Sequence, residues 1–249
     1  MTARPDDHLE PLITKLGRLA ELDDEDRLAI RALPLTVRPV RSNAYLVREG
    51  DTASSCCLLI DGHACRHKAT SNGSRQIVSF HLAGDVLDLQ HLWLDRADHN
   101  IQTITDATVG WIPVASLREL GRERSRICEA LWRDTLIDAS IFREWVLNVG
   151  RRDAKQRIAH MLCEFATRRE AAGLGSPESF VLPMTQEHIA DATGLTAIHV
   201  NRMLQALGND GVIQRDKRHI AIADWQRMRR VADFQPAYLH GVRQATASV

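Results

Sequence analysis

The apolar positions of this chain change their period along its length. From His8 to Ala20 and from Asp23 to Leu33 they recur at helical spacing, and Asp23 to Asp26 put an N-cap and acids at the start of the second helix. Pro34 ends that helix. From Leu35 to Trp111 the segments are short and rich in β-branched residues. They are separated by Glu49-Gly50-Asp51, Asp61-Gly62, Ser71-Asn72-Gly73 and Ala83-Gly84-Asp85. Short strands at regular spacing with Gly turns predict an antiparallel sandwich or barrel. Val86 to Leu94 is apolar enough for a helical insert, and Ile101 to Ile112 reads as strand again.

A long helix is predicted from Glu123 to Val149. Within it Cys128, Trp132, Thr135, Ala139, Phe142, Val146 and Val149 follow alternating steps of four and three. That stripe is the seam of a two-stranded coiled coil; the alternative is a single buried helix in a monomer. Leu131, Ile141 and Trp145 widen the stripe on one flank, where the β-domain could pack. Gly150-Arg151-Arg152 interrupts it. Asp153 then caps a helix from Ala154 to Arg169 with Ile158, Met161, Leu162 and Phe165 inward. Ala172 to Glu178, rich in Gly, Ser and Pro, reads as a loop.

Met184 to Leu207 predicts two short helices joined by a tight turn. Thr185 and Thr196 are N-caps, because a hydroxyl can accept from a free first-turn N–H. Gly194 stands where the chain turns sharply. Ile198, Val200, Met203, Leu204 and Leu207 recur at helical spacing, more apolar residues than one core face needs. This layout is a helix-turn-helix, and an ordinary helical hairpin is its bland alternative. Asp210-Gly211, the strand starting at Val212-Ile213, a tip at Asp216-Lys217 and the return through Ile220 to Ile222 add a wing. On the second helix Ala197, Ile198, Asn201 and Arg202, flanked by His199 and Gln205, occupy the turns that face base edges in such motifs. With Thr185, Gln186 and Thr196 at the helix starts, and Arg215, Lys217 and Arg218 on the wing suited to phosphate, they form the candidate DNA-binding set.

Composition fits this reading without proving it. At 249 residues the chain has room for two domains. Net charge is zero, but Lys and Arg exceed Asp and Glu by 14 to 10 from Gly150 onward, against 18 to 22 before it. A mildly basic C-terminal part suits a DNA-binding end. Five cysteines, an odd number without a CxxC pair, point to free thiols in a reducing cytoplasm. No apolar run is long enough to span a membrane, and the acidic start MTARPDDHLEPL is unlike a targeting peptide.

Two rival chemistries suit parts of the sequence. His63, Cys65 and His67 alternate, so on a strand they would share a face, and three such ligands could hold zinc or haem iron in a redox sensor. His81, His91 and His99 add no spacing motif. A β-barrel metalloenzyme with an appended helix-turn-helix would need an acid soon after a His-x-His, but Lys68, Ala69 and Thr70 follow His67. The expectation is therefore no catalytic residue, no metal site and no cofactor.

The order β-domain, long helix, hinge and winged helix resembles the Crp/Fnr family of bacterial transcription regulators over nearly the whole chain. The matching residues are Thr185-Gln186-Glu187, Gly194-Leu195-Thr196, Val200, Asn201-Arg202 and Leu204, with Arg157-Ile158-Ala159 after the hinge. The resemblance implies an α+β fold with a β-roll sensory domain and N-terminal helices (1–122), a dimerisation helix (123–149) and a winged helix-turn-helix (150–249). It also implies a cytoplasmic homodimer on inverted-repeat promoter DNA, with RNA polymerase as partner if the protein activates. Cyclic-AMP-binding members carry a Gly-Glu and an Arg-Ser pair around the cyclic phosphate. An ungapped match from Gly84-Asp85 puts Asp88-Leu89 and His99-Asn100 there, and the purine-facing helix positions fall on Phe142 and Arg143. Lacking the guanidinium, this set predicts an effector other than cyclic AMP. No cysteine precedes Cys56, so the iron–sulfur branch lacks its N-terminal ligands. Where the family commonly has a cytosine-reading Glu, this chain has Ile198.

Overall fold

The computed structural model describes residues 8–52 and 54–240; residues 1–7 of the acidic start lie outside them. The chain divides into two compact units, Met1–Leu136 and Ile137–Val249.

The first unit begins with two helices, α1 (Glu10–Leu19) and α2 (Asp24–Arg31). Asp23 closes a capping box with Asp26, as acids at a helix start favour. Seven antiparallel strands follow: β1 (Thr36–Val40), β2 (Tyr45–Val47), β3 (Ser55–Asp61), β4 (Ala64–Ala69), β5 (Arg75–His81), β6 (Asn100–Thr103) and β7 (Ala107–Pro113). They form two sheets, ordered β1-β7-β3 and β2-β6-β4-β5. Val47, Cys57, Leu59, Ala64, Leu87, Ile101 and Val109 are buried together in the core of the roll. The stretch expected as one strand from Ile101 to Ile112 is two, broken at Ile104 to Asp106. The helical insert is only a short 3-10 turn, Leu89–Leu92.

α3 (Val114–Glu123) was not foreseen from the apolar pattern, which changes period without a turn signal after β7. α4 runs from Ser125 to Arg151, so it starts later than expected and continues through Gly150. Near its start Asp134 joins a three-way ion pair: Lys15 Nζ lies 2.7 Å from Asp134 and 2.8 Å from Asp85. Burial opposes the charge on Lys15, but the two carboxylates outweigh it and raise the ammonium's pKa above the usual lysine value. Gly84 next to Asp85 has φ +95°, and a Cβ there would come within 2.7 Å of the Pro11 carbonyl. The turn is thus pressed against α1.

The second unit contains the C-terminal half of α4, then α5 (Ala154–Ala171), β8 (Ser179–Val181), α6 (Gln186–Thr193), α7 (Ala197–Asn209), β9 (Gln214–Asp216), β10 (His219–Ala221) and α8 (Trp225–Ala232). The small sheet is ordered β8-β10-β9. β8, three residues long, follows the loop expected at Ala172 to Glu178 and was not itself expected from the sequence. Asp153 caps α5 as expected, in a capping box with Gln156. Its buried face carries Ile158, Met161, Leu162 and Phe165, and also His160 and Glu164. Trp145, expected to widen the stripe toward the β-domain, donates its indole N–H to both Glu164 oxygens at 3.1 and 3.0 Å. Tyr238 Oη donates to Glu164 at 2.8 Å and lies 3.1 Å from His160 Nε2. Burial, aided by Arg152, pushes the His160 pKa down to about 3, so the ring is neutral. Burial raises the pKa of Glu164. Both Glu164 oxygens thus accept from Trp145, and one of them from Tyr238 as well, and a buried network of this kind makes a core specific.

Candidate nucleic-acid interface

The helix-turn-helix is built by its caps. Thr185 Oγ1 accepts from the His188 N–H and Thr196 Oγ1 from the His199 N–H, each at 3.2 Å. Between the helices Gly194 adopts the left-handed conformation, φ +67°, which an L side chain avoids. Arg157 of α5 braces the turn from behind, donating to the Thr193 carbonyl at 3.1 Å.

α7 has two unlike faces. Val200, Leu204 and Leu207 are buried against the unit. On the opposite side Ile198 is 83% exposed, and Arg202 and Gln205 are exposed. Ile198, Arg202 and Gln205 are spaced by four and three, so they share one outward face. Arg202 makes no hydrogen bond or ion pair among the described residues. Ala197, His199 and Asn201 are half-buried on the flanks of that face.

The wing is a two-residue hairpin with Asp216 paired to His219. Its tip is Lys217-Arg218, one residue later than the sequence placed it, with Lys217 at φ +51°. Val212 and Ile213, read as the start of the strand, are buried before it. Arg218, expected to meet phosphate, donates to the Pro183 carbonyl at 2.8 Å and ties the wing to the start of α6. Arg215 donates from Nε to the Lys217 carbonyl at 3.0 Å and from Nη1 to Asn201 Oδ1 at 3.3 Å. Gln186 donates to the same Oδ1 at 3.1 Å. Sequence reasoning placed these residues on one motif but had no signal for their mutual bonds.

Along α4 the heptad stripe faces outward. Trp132 is 59% exposed and Phe142 49%, with Val146 exposed and Cys128 and Val149 half-buried. Leu136 and Leu147, off the stripe, are exposed too. One residue before stripe positions lie the buried Ile127, Leu131, Ile141, Trp145 and Asn148, and Ala130 and Ser140 are buried as well.

The candidate effector residues are divided between the units. In the first, Asp88 is fully buried, and its carboxylate accepts from the Cys57 N–H at 2.8 Å and meets His91 Nδ1 at 3.2 Å. Leu89 is half-buried in the 3-10 turn. His99 is buried beside Asp98 at 2.7 Å and Gln90 at 3.4 Å. Burial, helped by Arg66, lowers the His99 pKa and so disfavours the charged ring. Asn100 Oδ1 accepts from the Glu49 N–H at 3.1 Å. Phe142 and Arg143 lie exposed on the half of α4 that belongs to the second unit.

Cys65 and His67 alternate on β4, whose pairing with β6 is unbroken, and both are buried, while His63 stands before the strand. The irregularity against β5 lies on the β5 side, where Val78 is the extra residue. Among the described residues no group of three or more His, Cys, Asp or Glu side chains is placed to hold a metal. Burial raises the thiol pKa values of Cys56, Cys57 and Cys163. No described helix is long and apolar enough to cross a membrane.

Residues 156–231 match the Crp-like helix-turn-helix domain, and residues 37–124 match the cyclic nucleotide-binding domain. The chain is 28% identical over 209 residues to the transcriptional activator protein FnrL of Cereibacter sphaeroides, covering 82% of this chain and 84% of that one. It is 25% identical over 213 residues to the fumarate and nitrate reduction regulatory protein of Vibrio cholerae, covering 86% and 83%. The structure of FixK2 from Bradyrhizobium japonicum superposes with a TM-score of 0.73 at 27% identity, covering 80% of this chain and 98% of that one. With a β-roll of the cyclic-nucleotide-binding type followed by a capped and winged helix-turn-helix, the chain belongs to the Crp/Fnr family of DNA-binding transcription regulators.

Proposed function

We propose that the protein is a homodimer that reads an inverted-repeat promoter site, one half-site per subunit, in the cytoplasm. Residues 1–122 are then the sensory part, 123–149 the dimerisation helix and 150–249 the DNA-binding part. The observation that carries the reading is the outward face of α7, where Ile198, Arg202 and Gln205 stand exposed over a buried Val200, Leu204 and Leu207. In a recognition helix Arg202 meets a guanine edge, and Ile198 packs on a thymine methyl, the one apolar mark on a base edge. Thr185, Gln186 and Thr196 at the helix starts, with His199 and the wing residues Arg215, Lys217 and Arg218, contact phosphates. The apolar stripe exposed on α4 supports the dimer, since a coiled-coil seam places such residues against their own copies. RNA polymerase is a partner if the protein activates, as the names of its relatives indicate. The effector of the β-roll is not cyclic AMP on this reading, because His99 and Leu89 stand where charge for a cyclic phosphate is needed.

Selection of bound duplexes from a random pool tests the base reading. The expected motif is an inverted repeat whose half-site holds a guanine set by Arg202 and a thymine set by Ile198. Ile198→Glu should move the preference at that thymine toward the family's cytosine contact. An unchanged motif would refute the assignment of Ile198.

A further inference from the structure

The bonds at Asn201 assign it a task other than base reading. Asn201 lies among the residues that a recognition helix turns toward the groove, and an asparagine there ordinarily grips adenine with both ends of its amide, Oδ1 accepting from N6 and Nδ2 donating to N7. Here Oδ1 accepts from Gln186 at 3.1 Å and from Arg215 at 3.3 Å. A carbonyl oxygen has two lone pairs, so both are engaged. Because a guanidinium can only donate, the oxygen and not the amide nitrogen must face Arg215, which settles the orientation of the Asn201 amide and makes Gln186 the second donor.

The three residues come from three elements. Gln186 opens α6, Asn201 lies in the second turn of α7, and Arg215 is in β9 of the wing. Arg215 is held a second time by the Lys217 carbonyl across the hairpin tip. A guanidinium has five N–H donors, so most of them remain for a phosphate after these two bonds. The chemistry of the acceptor matters as well. A carboxylate at position 201 would orient Arg215 equally well but would cancel its charge. The neutral amide orients it and leaves the charge to act on DNA.

We propose that Asn201 reads no base and is a positioning residue, a bracket that fixes Gln186 and the wing Arg215 relative to α7 so that both meet the DNA backbone together. The proposal rests on α7 being the recognition helix, and it identifies which of its groove-side residues is withdrawn from readout.

The test uses full-length protein and a duplex operator recovered from the random pool. Asn201→Ala, Arg215→Ala and the double variant are measured for affinity, for salt dependence and for preference over every single-base change in the half-site. Asn201→Ala should weaken binding about tenfold, alike on all half-site variants, as loss of backbone contact does. The double variant should lose less than the product of the two single losses. Asn201→Asp keeps the acceptor, so it should retain the wing contact but flatten the salt dependence by about one unit of slope, the value of one phosphate contact. A shift of base preference in Asn201→Ala, or single losses that multiply in full, would overturn the proposal. Arg202→Ala run in parallel should relax one base position. If it does not, the recognition-helix reading falls and takes the bracket with it; if it does while the cycle multiplies, only the bracket falls. Asn201 is at the surface of a capped helix, and circular dichroism melting confirms that the variants are folded.

Discussion

Two regions of the molecule, the core of the β-roll and the outward faces of α4 and α7, reverse the usual placement of side chains in opposite ways. The β-roll buries polar groups: His67, His81, Asp85, Asp88, His91 and His99 are all inside. The outward faces of α7 and α4 leave apolar ones outside, with Ile198, Phe142, Val146 and Leu147 exposed. A buried polar group and an exposed apolar one are the informative exceptions to ordinary burial, and here they mean different things. Asp88, Asp85 and His99 have partners inside the roll, so their burial is met by internal scaffolding. Ile198 and most of the α4 stripe are exposed among the described residues, and on the proposed reading they are surfaces for DNA and for a second copy of the chain. A variant in the roll should therefore cost folding, and a variant on the outward faces should cost association.

The largest effect expected is on the stripe. Phe142→Glu puts a charge into the proposed seam. It should give a monomer by light scattering and weaken operator binding roughly a hundredfold or more, the usual gain from joining two half-site contacts. A variant that stays dimeric and binds normally would break the comparison on the apolar side.

The contrast itself is sharpened by pairing Asp88→Ala with Arg202→Ala. The first leaves the Cys57 N–H and His91 without their buried acceptor and should destabilise the protein by about 2–4 kcal/mol, as unpaired buried donors do. The second should leave stability within about 0.5 kcal/mol of the parent and instead cost about 1–3 kcal/mol of operator binding with one base position relaxed. Thermal melts and operator titrations of both variants separate the two outcomes. A stable Asp88→Ala would mean that this carboxylate is held for a ligand and not for the fold.

The smallest effect expected is none. Calorimetry with cyclic AMP should show no saturable binding tighter than about millimolar, an affinity near 4 kcal/mol. Tight binding would show that a buried, weakly basic His99 can replace a guanidinium at the cyclic phosphate.

How much of this was legible in the residues varies with the range of the forces involved. The caps at Asp23, Asp153, Thr185 and Thr196 were readable because a cap bonds three residues ahead in the same chain. The outward positions of Ile198 and of the α4 stripe followed from the helical period. α3 was missed because Val114 to Glu123 follows β7 without a turn residue, and β8 because three residues are too few to show a period. The alternation of Cys65 and His67 was readable because the pleat of β4 is continuous against β6, while the start of β4 after His63 was not.

The sequence alone determined the local structure of the helix-turn-helix, the apolar stripe along α4 and the departure from the cyclic-phosphate pattern, because each depends on side-chain type at near spacing. Only the tertiary structure decided which polar groups are already taken. Asp88 meets Cys57 from 31 positions away, and Lys15 joins Asp85 and Asp134 across 70 and 119. Asn201 is engaged by Gln186 and by Arg215. A hydrogen bond forms only within about 3 Å, and which groups come that close is set by the packing of elements distant in sequence.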